Sequence, residues 1–292
     1  MTVHESDVDG WDLERIGHWT DPFEFEVTRE RITRFAEATN DEHPLHRSGE
    51  LAPPVFPVVG ALMNAISPAV MAVVPPELAM RAVHGEHDFR YHRPILPDTR
   101  LLTRAAAIGV RSVSTGVVVI GKGITETPRG ELVVEQYVAG FIRGAGRDVD
   151  AGEGLTEHGF DERVRESEPS ATVTQSVDDD QTVRYSRESG DHNPIHLDDV
   201  AARAVGLPGI IVHGLCTMAF CGRALVSRFC PEDPTRLRRF AVRFAAIVQP
   251  GETVTHTMWQ GARQPEHEQI IFESTSGSGR LAIKDGLALV AG

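Results

Sequence analysis

The sequence predicts an α+β protein built from two copies of one plan, each an antiparallel sheet gathered around a buried helix. Three observations predict it. A short motif recurs at an offset of 150 residues, with Asp41 and Asp191 in matching places. After each copy come strand-like runs broken by turn signals. An apolar stretch, Ile211 to Phe229, has the length of a long helix, but His213, Arg223 and Arg228 interrupt it, so it reads as a helix wrapped by sheet.

The repeat pairs Phe35-Ala-Glu-Ala-Thr-Asn-Asp41-Glu-His43-Pro44-Leu45-His46 with Tyr185-Ser-Arg-Glu-Ser-Gly-Asp191-His-Asn193-Pro194-Ile195-His196. Aromatic, Asp, Pro, aliphatic and His positions stay in register. Further on, the segment from Pro54 through Gly60 to Met63 echoes the one from Pro208 through His213 and Gly214 to Met218. Phe89-Arg90-Tyr91 with Pro97-Asp98 then echoes Val242-Arg243-Phe244 with Pro250-Gly251.

Strands follow in each copy. Leu101 to Val110, Val113 to Thr127 and Glu131 to Arg143 are runs separated by turn residues, the last pair by Pro128-Arg129-Gly130. In the second copy Glu252 to Gln260, Gln269 to Thr275 and Arg280 to Val290 repeat the order, with a Gly277-Ser278-Gly279 turn. Hairpins of an antiparallel sheet are the natural outcome. Between the copies, Gly144 to Ser170 is rich in Gly, Asp and Glu with no apolar period, which predicts a solvated linker. The expected organisation is a domain over 1–145, a linker over 146–170, and a second domain over 171–292.

Around the second motif the local signals are specific. Asp178 to Asp180 cap a short helix whose inward positions Thr182, Tyr185, Ser186 and Ser189 follow helical spacing, and Gly190 ends it in a left-handed cap. Pro194 stiffens the loop and biases Asn193 toward extended backbone. Asp198 or Asp199 begins another helix through Ala204, closed by Gly206 and Pro208.

Composition narrows the function classes. At 41% hydrophobic residues over 292 positions the chain can bury a substantial core. Its 29 basic and 42 acidic side chains give −13, which argues against attraction to nucleic acid or an anionic membrane. The acidic Met1 to Asp9 is unlike a signal peptide, so a cytoplasmic protein is expected. Cys216, Cys221 and Cys230, odd in number and without CxxC spacing, read as buried thiols, neither metal ligands nor a disulfide.

Asp191 and His196 stand five residues apart on a turned, proline-stiffened loop, where a carboxylate and an imidazole can converge on one water and move its proton. No GxSxG elbow accompanies them, so covalent acyl transfer is not favoured. The structural alternative is an Asx-turn after a helix cap, with His196 a core histidine. His213 reads as a packed residue of its apolar segment.

The whole string, Gly190-Asp191-x-Asn193-Pro194-Ile195-His196 preceded by Tyr185 and followed by Val212-His213-Gly214, resembles the motif of the MaoC-like, R-specific enoyl-CoA hydratases, the hydratase 2 family. With the two-copy layout it resembles the double hotdog members, in which two antiparallel sheets each wrap a central helix. The resemblance implies reversible addition of water to a trans-2-enoyl-CoA or related thioester, giving an (R)-3-hydroxyacyl thioester, without metal or redox cofactor. It implies Asp191 and His196 as the catalytic pair and Asn193 as an orienting residue. Gly214, before the central helix, is the expected oxyanion donor through its N–H.

In the first copy Asn40 replaces the glycine and His43 the asparagine, while Asp41 and His46 survive. The resemblance implies a half that has lost its chemistry and shapes a pocket for the acyl chain. For the coenzyme, the cluster Arg236, Arg238, Arg239 and Arg243 offers cations for phosphates. The expected partners are an acyl-CoA or acyl-carrier thioester and a second copy of the chain in a homodimer, with neither nucleic acid nor membrane. Two rivals are open: a hotdog thioesterase, and a non-catalytic subunit that binds acyl thioesters.

Overall fold

Long runs of β-branched residues punctuated by glycine turns form strands in the computed structural model, which describes residues 10–146, 148–155, 158–159 and 162–292. The first half contributes β1 (Phe23–Val27), β2 (Ala82–Tyr91), β3 (Thr99–Val113), β4 (Gly116–Glu126) and β5 (Leu132–Arg143). Between the halves lies β6 (Ala151–Gly152). The second half contributes β7 (Ala171–Ser176), β8 (Leu237–Phe244), β9 (Thr253–Arg263), β10 (His267–Ser276) and β11 (Leu281–Ala291).

Strand order is β1-β3-β4-β5-β2-β8-β11-β10-β9-β7. Read outward from the β2–β8 seam, the halves have the same order, so the repeat in sequence is a repeat in topology. The fold is a double hotdog. One detail differs from expectation: the two sheets are not separate but run on into one eleven-stranded sheet, because β2 and β8 pair antiparallel from Glu86↔Arg243 to Arg90↔Arg239. Pairing of these inner edges removes two strand edges that would otherwise lie open.

The helix wrapped by the second half spans Gly214–Phe229 and buries Leu215, Cys216, Met218, Phe220, Cys221 and Leu225. Its counterpart in the first half is broken into Val58–Ala61, a wider π turn over Leu62–Ile66, and Ser67–Met71. Two residues account for this. Gly60 takes a left-handed φ of +82°, and Pro68 cannot donate to the turn before it. Aliphatic and aromatic side chains from both halves join one core, including Phe35, Phe56 and Phe89 with Phe220, Phe240 and Phe272.

The segment between β5 and β7 is not the solvated linker expected. β6 pairs with β3, Arg111 donates to the carbonyls of Ala151 and Gly152, and Val149 and His158 are buried. Composition alone hid this, since its anchors are main-chain groups. The three cysteines are buried free thiols. No helix among the described residues is long and apolar enough to cross a membrane. Met1 to Asp9, read above for its charge, lies outside the described residues.

Candidate active site

The helix Gln181–Ser189 buries Thr182, Tyr185, Ser186 and Ser189, the four positions its spacing predicted, and stops at Gly190, whose φ is +79°. The chain then reverses through two successive Asx-turns. Asp191 Oδ1 accepts the Asn193 N–H at 3.1 Å, and Asn193 Oδ1 accepts the Ile195 N–H at 3.3 Å. Pro194 opens a single turn of 3-10 helix ending at His196, and Asp198 caps the next helix by accepting from Val200 and Ala201. The catalytic and the Asx-turn readings of Asp191 are therefore compatible. One oxygen shapes the loop, and Oδ2 has no partner among the described residues.

His196 is 8% exposed and donates from Nδ1 to the Ile211 carbonyl at 2.8 Å. That bond fixes the tautomer and leaves Nε2 as a lone pair. Burial pulls the imidazole below its ordinary value, with the Ile211 carbonyl and the Asp191 charge opposing, so the ring is neutral at pH 7. Donor atoms of Asp191, His196 and His213 all lie within 4.8 Å of one another. Two hydrogen bonds of ~2.8 Å meeting at a water span roughly 4.6 Å, so one water fits between carboxylate and imidazole. The His196 and His213 rings stack with centroids 3.8 Å apart and 27° between planes.

Gly214 opens the central helix, where first-turn N–H groups have no intrahelical acceptor. A Cβ there would come within 3.2 Å of the Phe244 ring, so close packing also calls for a glycine. Asn193 is exposed and its side-chain oxygen is occupied as the cap of the 3-10 turn.

Two more residues lie near the site: His213, which the sequence marks as a packed residue, and His84, which it does not mark at all. His213 is nearly fully buried, stacks on His196 and donates from Nε2 to the Asp191 carbonyl at 3.1 Å. His84 comes from β2 of the other half, packs edge-on to Phe244 with ring centroids 5.1 Å apart, and lies within electrostatic reach of Asp191. Repeat alignment singles out Phe244 but carries no signal for His84, which enters the site only because β2 pairs with β8.

The first copy places the same residue types differently. Asp41 Oδ2 accepts directly from His46 Nδ1 at 2.8 Å and Oδ1 accepts the His43 N–H at 2.9 Å, with both side chains sealed from solvent. His43, where the second copy has Asn193, accepts the Leu45 N–H at Nδ1 as Asn193 accepts that of Ile195, and in addition bonds through Nε2 to the Pro231 carbonyl. Asn40 follows its helix with a left-handed φ of +52°, as Gly190 does with +79°, and its amide also reaches Asp178 and Gln181 of the second half. At the seam end equivalent to the active site lies a cleft of about 470 Å³ counting its open mouth, lined by Pro54, Pro57, Tyr91, Ile95 and Leu237.

The four arginines expected near the coenzyme are spread along β8 and the turn before it. Arg239 is held by both oxygens of Asp88, and Arg243 by Glu86 and Asp285, so these two are engaged in holding the seam. Arg236 donates to the Ala291 carbonyl. Arg238 lines the cleft of the first half, six residues and about 20 Å along the strand from Phe244. Sequence proximity grouped them, whereas the strand distributes them along its length.

A double hotdog with an Asp–His loop against the start of one central helix defines a hydratase-type site. Residues 160–278 match the MaoC-like domain model, and residues 14–136 match that of the FAS1-like dehydratase region. Its second half thus carries a MaoC-like domain, and the chain is similar to proteins named enoyl-CoA hydratase 2. It is 29% identical over 213 residues to a probable enoyl-CoA hydratase 2 of Dictyostelium discoideum, covering 72% of this chain and 70% of that protein. It is 33% identical over 183 residues to 3-hydroxyacyl-thioester dehydratase Y of Mycobacterium tuberculosis, 61% of either chain. With the peroxisomal enoyl-CoA hydratase 2 of Arabidopsis thaliana the identity is 28%, and the match spans 59% of that protein's length. In fold it is similar to a MaoC-like dehydratase of Phytophthora capsici, with a TM-score of 0.82 at 22% identity over 96% of this chain and 98% of that one.

Proposed function

We propose that this chain adds water reversibly across the double bond of a trans-2-enoyl-CoA, or a related thioester, to give the (R)-3-hydroxyacyl thioester. The observation that carries the reading is the pairing of an open Asp191 oxygen with a neutral His196 whose tautomer is already set. A water between them loses a proton to His196 Nε2 as its oxygen bonds to C3. The π electrons of the C2–C3 bond move toward the thioester oxygen, and the proton returns from His196 to C2. Asp191 accepts the water's other hydrogen and aims its lone pair. The Gly214 N–H at the helix start faces the enolate oxygen, where a preorganised donor contributes most. Asn193 acts on the site through the loop it caps.

Among the described residues no Ser or Cys nucleophile stands beside the pair, which favours hydration over thioester hydrolysis. The test is turnover of trans-2-enoyl-CoAs of several chain lengths, followed by loss of the conjugated-thioester absorbance together with a thiol assay. Asp191→Asn and His196→Ala are each expected to lower kcat by ~10²- to 10⁴-fold. Release of free CoA in step with the absorbance loss would favour the thioesterase, and binding with no absorbance loss the non-catalytic subunit. A cytoplasmic location, beside relatives named peroxisomal, and pairing into a homodimer are separate proposals. Fractionation of the host and sedimentation of the purified protein check them.

A further inference from the structure

His213 touches both members of the pair, and the fold does not require a histidine there. The repeat provides the control: with Gly60 aligned on Gly214, His213 aligns on Val59. The two residues take nearly the same backbone, φ −64° and ψ 119° for Val59, φ −56° and ψ 135° for His213. Valine therefore meets the local demands of this position in the half where the Asp–His pair is sealed. Histidine appears only in the half where the pair is open.

An imidazole in that place carries a cost. Its Nδ1 is buried without a partner among the described residues, as is the hydroxyl of Tyr185, whose ring centroid is 4.9 Å from that of His213. An unsatisfied buried polar atom is destabilising, a cost that packing alone would not retain. What the ring gains is contact with the reacting groups: Nε2–H on the Asp191 carbonyl, and its face on His196.

We propose that His213 is a positioning residue for the hydration, holding the Asp191 main chain and the His196 ring plane so that Oδ2 and Nε2 face one water. The inference rests on the function proposed above. His213 itself stays neutral: burial and the neighbouring His196 hold it at about 4, against the Asp191 charge, while His192 adds to the depression. A neutral ring can lie face to face with His196 without repelling the proton that His196 takes up during turnover.

The test uses His213→Val, the twin's residue, with His213→Gln as the conservative variant that keeps an N–H donor. In His213→Val kcat is expected to fall about 10²-fold with KM changed less than about threefold, the loss typical of a reacting group displaced by an ångström. His213→Gln is expected to recover at least a tenth of the wild-type kcat. Full kcat in His213→Val overturns the role. So does an equal loss in both variants accompanied by a lowered unfolding midpoint, which marks a packing residue. Substrate-independent evidence comes from the ¹⁵N ring shifts of His196. The Nδ1–H tautomer of the wild type becomes mixed in His213→Val if His213 positions the ring, and an unchanged tautomer overturns it. If wild type hydrates nothing yet the tautomer is scrambled, the hydration reading fails while the positioning role stands.

Discussion

Asp41 and Asp191 carry one functional group in two copies of one loop, and the direction of a single imidazole nitrogen separates their fates. In the first copy His46 Nδ1 donates to the carboxylate itself, so both groups satisfy each other inside the core. In the second, His196 Nδ1 donates to a main-chain carbonyl, and the carboxylate is left for solvent and substrate. Removing one partner of a buried pair is strongly destabilising, so Asp41→Ala is expected to cost ~3–5 kcal/mol in urea unfolding while the folded fraction keeps near-native kcat. Comparable losses of kcat in Asp41→Ala and Asp191→Ala would assign chemistry to the first copy as well. His196 acts only when neutral and its value is lowered, so kcat/KM should fall on the acid side with an inflection below the ordinary histidine range, seen in a pH–rate profile from 4 to 8.

Elements were legible wherever local chemistry decides them. Gly190, Pro194 and Asp198 announced a helix stop, a stiff turn and a new helix start, and each is found there because a left-handed φ, a missing N–H and a capping carboxylate act within a few residues. Elements decided by distant partners were not legible. The strand inside the expected linker and the dispersal of Arg239 and Arg243 into ion pairs depend on what packs alongside. His84 reaches the site for the same reason. Gly214 lies between these cases: the repeat marks it, but its packing against Phe244 needs the β8 strand. Gly214→Ala places a methyl 3.2 Å from that ring, with an expected cost of ~1–3 kcal/mol in thermal or urea unfolding that Phe244→Leu in the same chain should partly relieve.

At the scale of the molecule the seam between β2 and β8 decides behaviour. It joins two copies into one sheet over a shared core, ties them through Arg239–Asp88 and Arg243–Glu86, and puts residues of one half against the active loop of the other. The expected boundaries near 145 and 170 fall between the end of β5 and the start of β7, yet we propose that the halves unfold together. Trp11 and Trp19 report on the first half and Trp259 on the second, so their fluorescence transitions in urea should coincide, and separated midpoints would mean independent domains.

Acid should weaken the whole structure. His84, His87, His213 and His256 are buried with values pushed below 6.5 by loss of solvation, so the unfolded chain binds more protons than the folded one as pH falls below that value. His158 works in the opposite sense. Burial lowers its value, but the Glu86 bond, the Asp285 carbonyl and the charges of Glu86 and Asp88 together raise it, so the stability it adds is present at low pH and lost as pH rises through the raised value. His196, lowered as well, joins those four, and five against one predicts a lower urea midpoint at pH 5 than at pH 7.

The catalytic claim is tested most directly by the stereochemistry of the product. Incubation of the purified chain with a trans-2-enoyl-CoA, followed by chiral resolution of the 3-hydroxyacyl product, should give the (R) enantiomer, with formation lost in Asp191→Asn and kept in Asp41→Asn. An (S) product, or formation that survives in Asp191→Asn, would contradict the account.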